Sequence, residues 1–153
     1  MLRVVGMLSS WWTGGGARHR GLLDLNRELN GLYRENPVLH TADTDPAGFG
    51  WIDLHNGDQS VFAFLRRSPL HPERPPLLCV FNCTPVPRDA YWLGVPEAGT
   101  YRKVFDSDAV RYGGSGYNLQ DRVVSQPAPS QGFPCHVRLN LPRLAALFFE
   151  IDF

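Results

Sequence analysis

Two kinds of hydrophobic pattern divide the chain near residue 43. Between residues 20 and 36, apolar side chains recur every three to four positions, as on one face of an α-helix. The set that we call the apolar stripe is Leu22, Leu25, Leu29, Leu32 and Tyr33. Pro37 predicts the end of this helix, because the residue before a proline is pushed out of the helical region. The pattern therefore predicts one amphipathic helix.

From residue 43 onward, short runs of β-forming residues alternate with turn signals. Asn56-Gly57 favours a two-residue hairpin turn between "GWIDLH" and "QSVFAFLRR", since it supplies positive φ angles. "LLCVFNC" is apolar on both faces and predicts a central strand, and further strands are predicted at "AYWLGV", "TYRKVF", "HVRLNL" and "LAALFFEI". Seven or so short strands predict a mainly β fold, an antiparallel β-sandwich preceded by the helix. We divide the chain into an irregular segment (1–19), a helix with its linker (20–42) and an all-β domain (43–153).

Composition excludes several classes of partner. The 153 residues carry 15 basic and 15 acidic side chains, and the basic ones are scattered, so no nucleic-acid partner is expected. No apolar run approaches the ~20 residues of a membrane span, and the first residues lack the apolar core and cleavage site of a signal peptide. Cys79 and Cys83 would lie roughly 13 Å apart along a strand, too far for a disulfide. With Cys135 they predict free thiols in a reducing, cytoplasmic compartment.

The chain offers no recognisable reaction centre. "TGGGARHRG" before the helix resembles a phosphate-binding loop, but its glycine spacing does not fit one and a linker explains it better. Asp106 and Asp108 stand two apart beside a strand end, where turn or capping roles explain them better than a catalytic carboxylate pair. The five histidines occur singly, without a nucleophile elbow or zinc-ligand spacing. We therefore predict no catalytic residue, metal or cofactor.

The segment "FNCTPVPRDAYWLGVP", residues 81–96, resembles the C-terminal β domain of bacterial 1,4-α-glucan branching enzymes, which are members of the α-amylase superfamily. That family shows a pattern like F-N-x-T-P-V-P-R-x-x-Y-x-x-G-V-P. In order along the chain, "GTYRKVFDSD", "YGGSGYN" and "LNLPRLAALFF" are similar to its later motifs. Upstream, "LNRELNGLYRENPVLH" resembles the last helix of the catalytic barrel. The resemblance runs from about His19 to the end, and it implies the β-sandwich already predicted from the pattern.

The chain departs from the family pattern in places. Cys83 stands where the family usually has an aromatic or apolar residue, Lys103 where it often has Glu, and Arg143 where it usually has Pro. The family's nucleophilic Asp, acid/base Glu and stabilising Asp lie on barrel strands, and none of their motifs occurs in this sequence. The resemblance therefore implies a fragment of a glycogen-branching enzyme that does not form α-1,6 branches by itself.

Three aromatic residues are candidates for contacts with carbohydrate. Tyr91, Leu93 and Val95 share one face of their strand, so an inward Tyr91 turns Trp92 outward, where it can stack on glucose; a core Trp92 is the alternative. Tyr112 and Tyr117 flank the glycine-rich loop and are weaker candidates. An α-glucan is thus the predicted ligand.

Three hypotheses on function stay open at this point. The chain is part of a branching enzyme, a stand-alone α-glucan-binding or assembly module, or the remnant of a truncated gene. With no barrel present, the stripe residues Leu22, Leu25, Leu29 and Leu32 must cover the sandwich, pair with the missing barrel or a second copy, or face water. We expect loose docking of the helix and self-association through this face.

Overall fold

The computed structural model describes residues 16–53 and 58–152, and its first element is the predicted helix. Helix α1 spans Ala17–Glu35 and ends where Asn36 adopts an extended conformation before Pro37. The side chain of Asn36 then accepts a hydrogen bond from the backbone N–H of Val38 (3.1 Å), which starts a 3₁₀ turn at Pro37–Leu39. Two further 3₁₀ turns lie at Pro46–Gly48 and Val110–Tyr112.

The described residues form eight strands, close to the seven or so predicted. They are β1 Phe49–Asp53, β2 Val61–Arg66, β3 Leu77–Asn82, β4 Arg88–Val95, β5 Thr100–Asp106, β6 Arg122–Val124, β7 Cys135–Leu141 and β8 Ala145–Asp152. β1 and β2 pair antiparallel as predicted, while Asn56-Gly57 lies outside the described residues. The predicted mainly β, antiparallel fold is confirmed.

The strands form two antiparallel sheets. The large sheet has the order β1-β2-β3-β8-β5-β6, and the small sheet pairs β4 with β7. The chain changes sheets four times among the described residues: after β3, after β4, after β6 and, at Pro142, after β7. These crossovers wrap the chain around one core.

The inner core lies between the two sheets. It draws on alternate residues of the large sheet, such as Leu65, Leu78 and Phe149, and on Leu93 and Leu139 of the small sheet. All five are almost completely buried. Burial of large side chains of this kind contributes roughly 1.5–3 kcal/mol each, so this core supplies most of the stability of the sandwich.

β3 is a central strand, as its two-sided apolar run predicts. Its neighbours are β2 and β8. Leu78 and Val80 face the inner core, whereas Leu77 and Cys79 face outward into a second cluster beneath α1. Cys79 and Cys135 are buried free thiols, and Cys83 is an exposed one.

Helix α1 covers part of the outer face of the large sheet. Leu25, Leu29 and Leu32 pack with Phe105 and Phe148 in the second cluster. Of the alternatives left open for the apolar stripe, these three leucines cover the sandwich, because the outward side chains of β3, β5 and β8 give them an apolar surface.

The two ends of the apolar stripe remain open. Leu22 is 59% exposed and Tyr33 48% exposed. Close packing nearer the start of the helix depends on Gly21, where an added Cβ would stand 2.2 Å from the carbonyl oxygen of Tyr112. The helix thus fits tightly against the 3₁₀ turn at Val110–Tyr112.

Candidate functional site

The segments that resemble the branching-enzyme family come together at one edge of the sandwich. We call this region the motif junction and define it as residues 82–89, 108–118 and 140–144. Hydrogen bonds connect the first segment to the third and the second to both others. Segments that are far apart in the sequence therefore build one local structure.

Asn82 is the buried centre of the motif junction. Its Nδ2 donates to the carbonyl oxygens of Val86 (2.9 Å) and Pro142 (2.8 Å). Its Oδ1 accepts from the backbone N–H (3.1 Å) and the hydroxyl (2.8 Å) of Thr84. The backbone N–H of Leu144 then donates to the carbonyl of Thr84 (2.9 Å). One amide side chain thus fixes the turn after β3 and joins it to the turn before β8.

The glycine-rich loop closes around the carboxylate of Asp108. That carboxylate accepts from the backbone N–H (2.8 Å) and hydroxyl of Ser115 and from the backbone N–H of Tyr117 (3.2 Å). Burial by itself would raise the pKa of Asp108, but these hydrogen bonds and the charge of Arg143 lower it. Glycine is required at Gly114, because a Cβ there would lie 2.2 Å from the carbonyl oxygen of Asp108.

Tyr117 joins this loop to the start of β4. Its hydroxyl donates to Asp89, which raises the pKa of the Tyr117 phenol. A cleft of about 180 Å³ lies beside it, lined by Pro87, Ser115, Tyr117 and Arg143. Tyr117 is thus half-buried, with its hydroxyl engaged and part of its surface on a cleft.

Trp92 points out from the small sheet, as the alternation along β4 predicts. It is 49% exposed, whereas its neighbour Leu93 is buried, so the alternative of a core Trp92 is wrong. The indole stacks on the imidazole of His136 (ring centroids 4.3 Å apart, planes 8° apart). The guanidinium of Arg138, its partner across the strands, lies over the indole at 4.3 Å from the ring centroid. Trp92 is therefore a half-exposed aromatic ring against which an imidazole and a guanidinium are stacked.

The sequence analysis missed the partners of Trp92. His136 is buried, with Nδ1 against the carbonyl of Ala128 (2.9 Å) and Nε2 without a hydrogen-bond partner. The alternation in "HVRLNL" already places His136, Arg138 and Asn140 on one face, so the signal was present. What was lacking was the register that sets β7 beside β4.

Tyr112 does not fit a carbohydrate platform. Its ring is buried in the second cluster, where it lies 6.3 Å from the ring of Phe105 between centroids. Burial raises the pKa of the Tyr112 phenol to about 12. Its hydroxyl accepts a hydrogen bond from Arg111 (2.9 Å), which also pairs with Glu28 of α1. Tyr112 therefore helps to hold the helix, because the turn that carries it packs under α1.

Buried carboxylates in the described residues have structural partners. Asp53 accepts from the hydroxyl of Tyr91 (2.8 Å) and from Nε2 of Gln131 (2.9 Å). Asp106 accepts from the backbone N–H of Asp108 (2.9 Å), as the predicted turn role requires. Within residues 16–53 and 58–152, no group of three or more His, Cys, Asp or Glu side chains is arranged to hold a metal ion. None of the helices in these ranges has the length and apolar character needed to cross a membrane.

Comparison with known proteins gives a consistent picture. The family model for the alpha amylase C-terminal all-beta domain matches residues 51–152. The chain is 45% identical over 140 residues to the 1,4-alpha-glucan branching enzyme GlgB of Albidiferax ferrireducens, covering 92% of this chain and 22% of that protein. It is 42% identical over 132 residues to the enzyme of the same name from Marinobacter nauticus, covering 86% and 21%. The chain thus spans about a fifth of the length of these relatives.

The fold comparison agrees. The crystal structure of an alpha-amylase from H. orenii superposes with a TM-score of 0.50 at 19% identity, covering 86% of this chain and 20% of the other. At this identity the likeness concerns the fold alone, and it extends the shared architecture beyond the matched residues 51–152. The chain belongs to the family of alpha-amylase C-terminal all-beta domains.

Proposed function

We propose that this chain is the C-terminal β domain of a 1,4-α-glucan branching enzyme. In this proposal residues 20–42 continue from a catalytic barrel, residues 43–153 form the β domain, and the longer protein acts in the cytoplasm. The motif junction carries the proposal, because the segments that resemble the branching-enzyme family form its hydrogen-bonded contacts. The 40–45% identity to named branching enzymes over most of the chain supports it.

The reaction itself belongs to the remainder of such an enzyme. Branching cleaves an α-1,4 bond and transfers the released chain to a 6-hydroxyl, which requires a nucleophile and an acid/base pair converging on one cleft. In this chain Asp53 and Asp106 are committed to hydrogen bonds within the sandwich. The proposed contribution of the chain is therefore to support the catalytic part.

A chimeric enzyme tests this proposal. The 140 residues of this chain that match the Albidiferax enzyme replace their counterparts there, and branching of amylose is followed by the fall in its iodine-complex absorbance. We expect the chimera to branch amylose and this chain alone to leave the iodine spectrum as a heat-killed control does. Branching by the chain alone, or a folded chimera without activity, overturns the proposal.

A second candidate function is binding of α-glucan at Trp92. The observation in its favour is the half-exposed indole, over which the guanidinium of Arg138 lies. The exposed part of the indole supplies apolar contact to a pyranose ring, while the guanidinium over it donates hydrogen bonds to sugar hydroxyls. Tyr117 lies beside the start of the same strand, because its hydroxyl donates a hydrogen bond to Asp89 of β4. It is the weaker contact in this proposal.

Fluorescence titration tests glucan binding. A stacked ring contributes on the order of 1 kcal/mol, so we expect weak quenching by maltooligosaccharides that disappears in Trp92→Ala. Trp51→Ala, which removes a similarly exposed tryptophan from the large sheet, is the matched control and should keep the quench. An Arg138→Ala variant separates two roles of the cation: loss of affinity means that it binds sugar, and a gain means that it shields the ring. Equal titrations in wild type and Trp92→Ala refute the site.

Self-association through the apolar stripe receives less support than the sequence suggests. Leu25, Leu29 and Leu32 already pack on the large sheet, which leaves Leu22 and Tyr33 as the exposed members. A contact through these two side chains alone would be small. Contact of a catalytic barrel or a second copy with the apolar stripe therefore stays a prediction, and it would rest mainly on Leu22 and Tyr33.

A further inference from the structure

The cleft of the motif junction brings together side chains from all three of its segments. Pro87, Ser115, Tyr117 and Arg143 line this cleft, which has a volume of about 180 Å³. It is smaller than the pockets of roughly 300–1,000 Å³ that take drug-sized ligands. Its size therefore suits a single ring-sized unit, and its four side chains decide which kind.

Hydrogen bonds within the protein fix the walls of the cleft. The backbone N–H groups of Ser115 and Tyr117 donate to Asp108 (2.8 and 3.2 Å), and the hydroxyl of Tyr117 donates to Asp89. The pyrrolidine ring of Pro87 adds a rigid surface. Walls that are held in place before a ligand arrives lower the entropy cost of binding it.

The cleft offers both kinds of contact that a sugar ring uses. Tyr117 and Pro87 present apolar ring surface to the C–H groups of a pyranose. Arg143 is exposed and supplies N–H donors. The hydroxyl of Ser115 donates to Asp108 and keeps lone pairs that can accept a hydrogen bond. A sugar hydroxyl both donates and accepts, so it can pair with either of these polar side chains.

The charges around the cleft disfavour an anionic ligand. The positive charge of Arg143 already acts on the carboxylate of Asp108. A second carboxylate, that of Asp89, lies at the hydroxyl of Tyr117. A phosphate or carboxylate would thus meet one cation and two anions, whereas a neutral ligand pays no such repulsion. The cleft therefore favours a neutral ligand that carries hydroxyl groups.

We propose that this cleft binds one glucosyl unit of an α-glucan, through the ring of Tyr117 and the guanidinium of Arg143. The choice of glucan rests on the proposed function. The inference deepens that function by giving Tyr117 a site of its own, apart from Trp92, which lies three residues beyond Asp89 on β4. Arg143 stands where the branching-enzyme family usually has Pro, so this site is a feature of the chain that the family pattern does not imply.

NMR titration of the complete chain with maltotriose tests the site. We expect the backbone amide signals of Ser115, Tyr117 and Arg143 to shift and to saturate. Arg143→Ala should weaken the affinity at these signals about tenfold, as the loss of a hydrogen bond from a charged donor predicts. Arg122→Ala, which removes an exposed arginine from β6 of the large sheet, is the matched control and should keep the affinity of the wild type.

A second variant guards against an indirect effect of Arg143 on the loop. Tyr117→Val leaves the guanidinium in place but removes the ring, and it should weaken the affinity at the Ser115 and Arg143 signals by a similar factor. Urea midpoints show whether each variant folds, and we expect Arg143→Ala to match Arg122→Ala because both arginines are exposed.

Each outcome separates this inference from the proposed function. Shifts at the indole N–H of Trp92 without shifts at the cleft signals, or an unchanged affinity in Arg143→Ala, overturn the cleft site and leave the proposed function as it was. Inorganic phosphate that competes with maltotriose at the cleft signals shows an anion site and also overturns the inference. A folded chimera without branching overturns the proposed function, while saturating cleft shifts in the chain alone still support glucan binding there.

Discussion

Replacing Asn82 by alanine should destabilise the sandwich far more than the loss of one polar side chain normally does. Asn82 is buried and makes four hydrogen bonds, two as donor to Val86 and Pro142 and two as acceptor from Thr84. Alanine removes all four hydrogen bonds and leaves the groups of Val86, Pro142 and Thr84 that made them without this partner, in a confined turn region. The expected result is loosening of the turns that precede β4 and β8.

The magnitude follows from the number of bonds. A net contribution of roughly 1 kcal/mol for each bond gives a loss of about 4 kcal/mol, less where water reaches the freed groups. For a domain of this size that loss corresponds to a fall in melting temperature of about 8–16 °C. Asn26→Ala is the control, since Asn26 is exposed on α1 and makes one bond to the carbonyl of Leu22 (2.8 Å). Its loss should cost only a few tenths of a kcal/mol.

Urea unfolding of the wild type, Asn82→Ala, Thr84→Val and the double variant measures the loss of stability caused by each change and the coupling between the two sites. The shared bond between the Thr84 hydroxyl and Asn82 (2.8 Å) predicts a coupling free energy of about 1 kcal/mol between the two sites. If Asn82→Ala unfolds at the urea midpoint of Asn26→Ala, or if the two changes are additive, Asn82 is not the centre of the motif junction.

Three further outcomes test other parts of the structure. Changing Leu25 and Leu29 together to Glu should cost about 3 kcal/mol or more in urea, because both leucines pack on the large sheet; a more soluble variant of unchanged stability refutes that packing. With the chain folded, Cys83 should react with a thiol reagent while Cys79, whose pKa burial raises to about 12, reacts only after unfolding; equal rates contradict its burial. Hydrogen bonds lower the pKa of Asp108, so its stabilisation is present above the unfolded carboxyl pKa and is lost as pH falls through the folded pKa. Ser115→Ala should therefore destabilise the chain near neutral pH and much less in acid, and an equal loss in both contradicts this pairing.

Local periodicity was sufficient to predict the elements and much of the orientation of their side chains. Leu78 and Leu77 illustrate this for β3, whose two apolar faces required a cover on each side, and the structure supplies both. Trp92 illustrates it for β4, where alternation with a buried Leu93 turned the indole outward. These predictions succeed because each depends on the geometry of one strand.

Predictions that depend on packing between distant segments failed or were not made. Tyr112 stands beside the glycine-rich loop, so the sequence suggested exposure, but the turn that carries it packs under α1. A row of aromatic rings on the outer face of the large sheet was missed, although Phe62 and Phe64 alternate on β2 and Phe49 and Trp51 on β1. Recognising this row from the sequence requires knowing that β1 pairs with β2, because that pairing sets these four rings side by side.

The helix that resembles the end of a catalytic barrel is also a structural part of the sandwich. Leu77 and Cys79 face away from the inner core, and without α1 the outward half of β3 would meet water together with Phe105 and Phe148. Such a surface, added to the exposed rings of Phe49 and Trp51 on the same sheet face, would leave a large contiguous apolar area open, which favours association with other chains. Helix α1 therefore stabilises the β domain and reduces the apolar area that this sheet face leaves open.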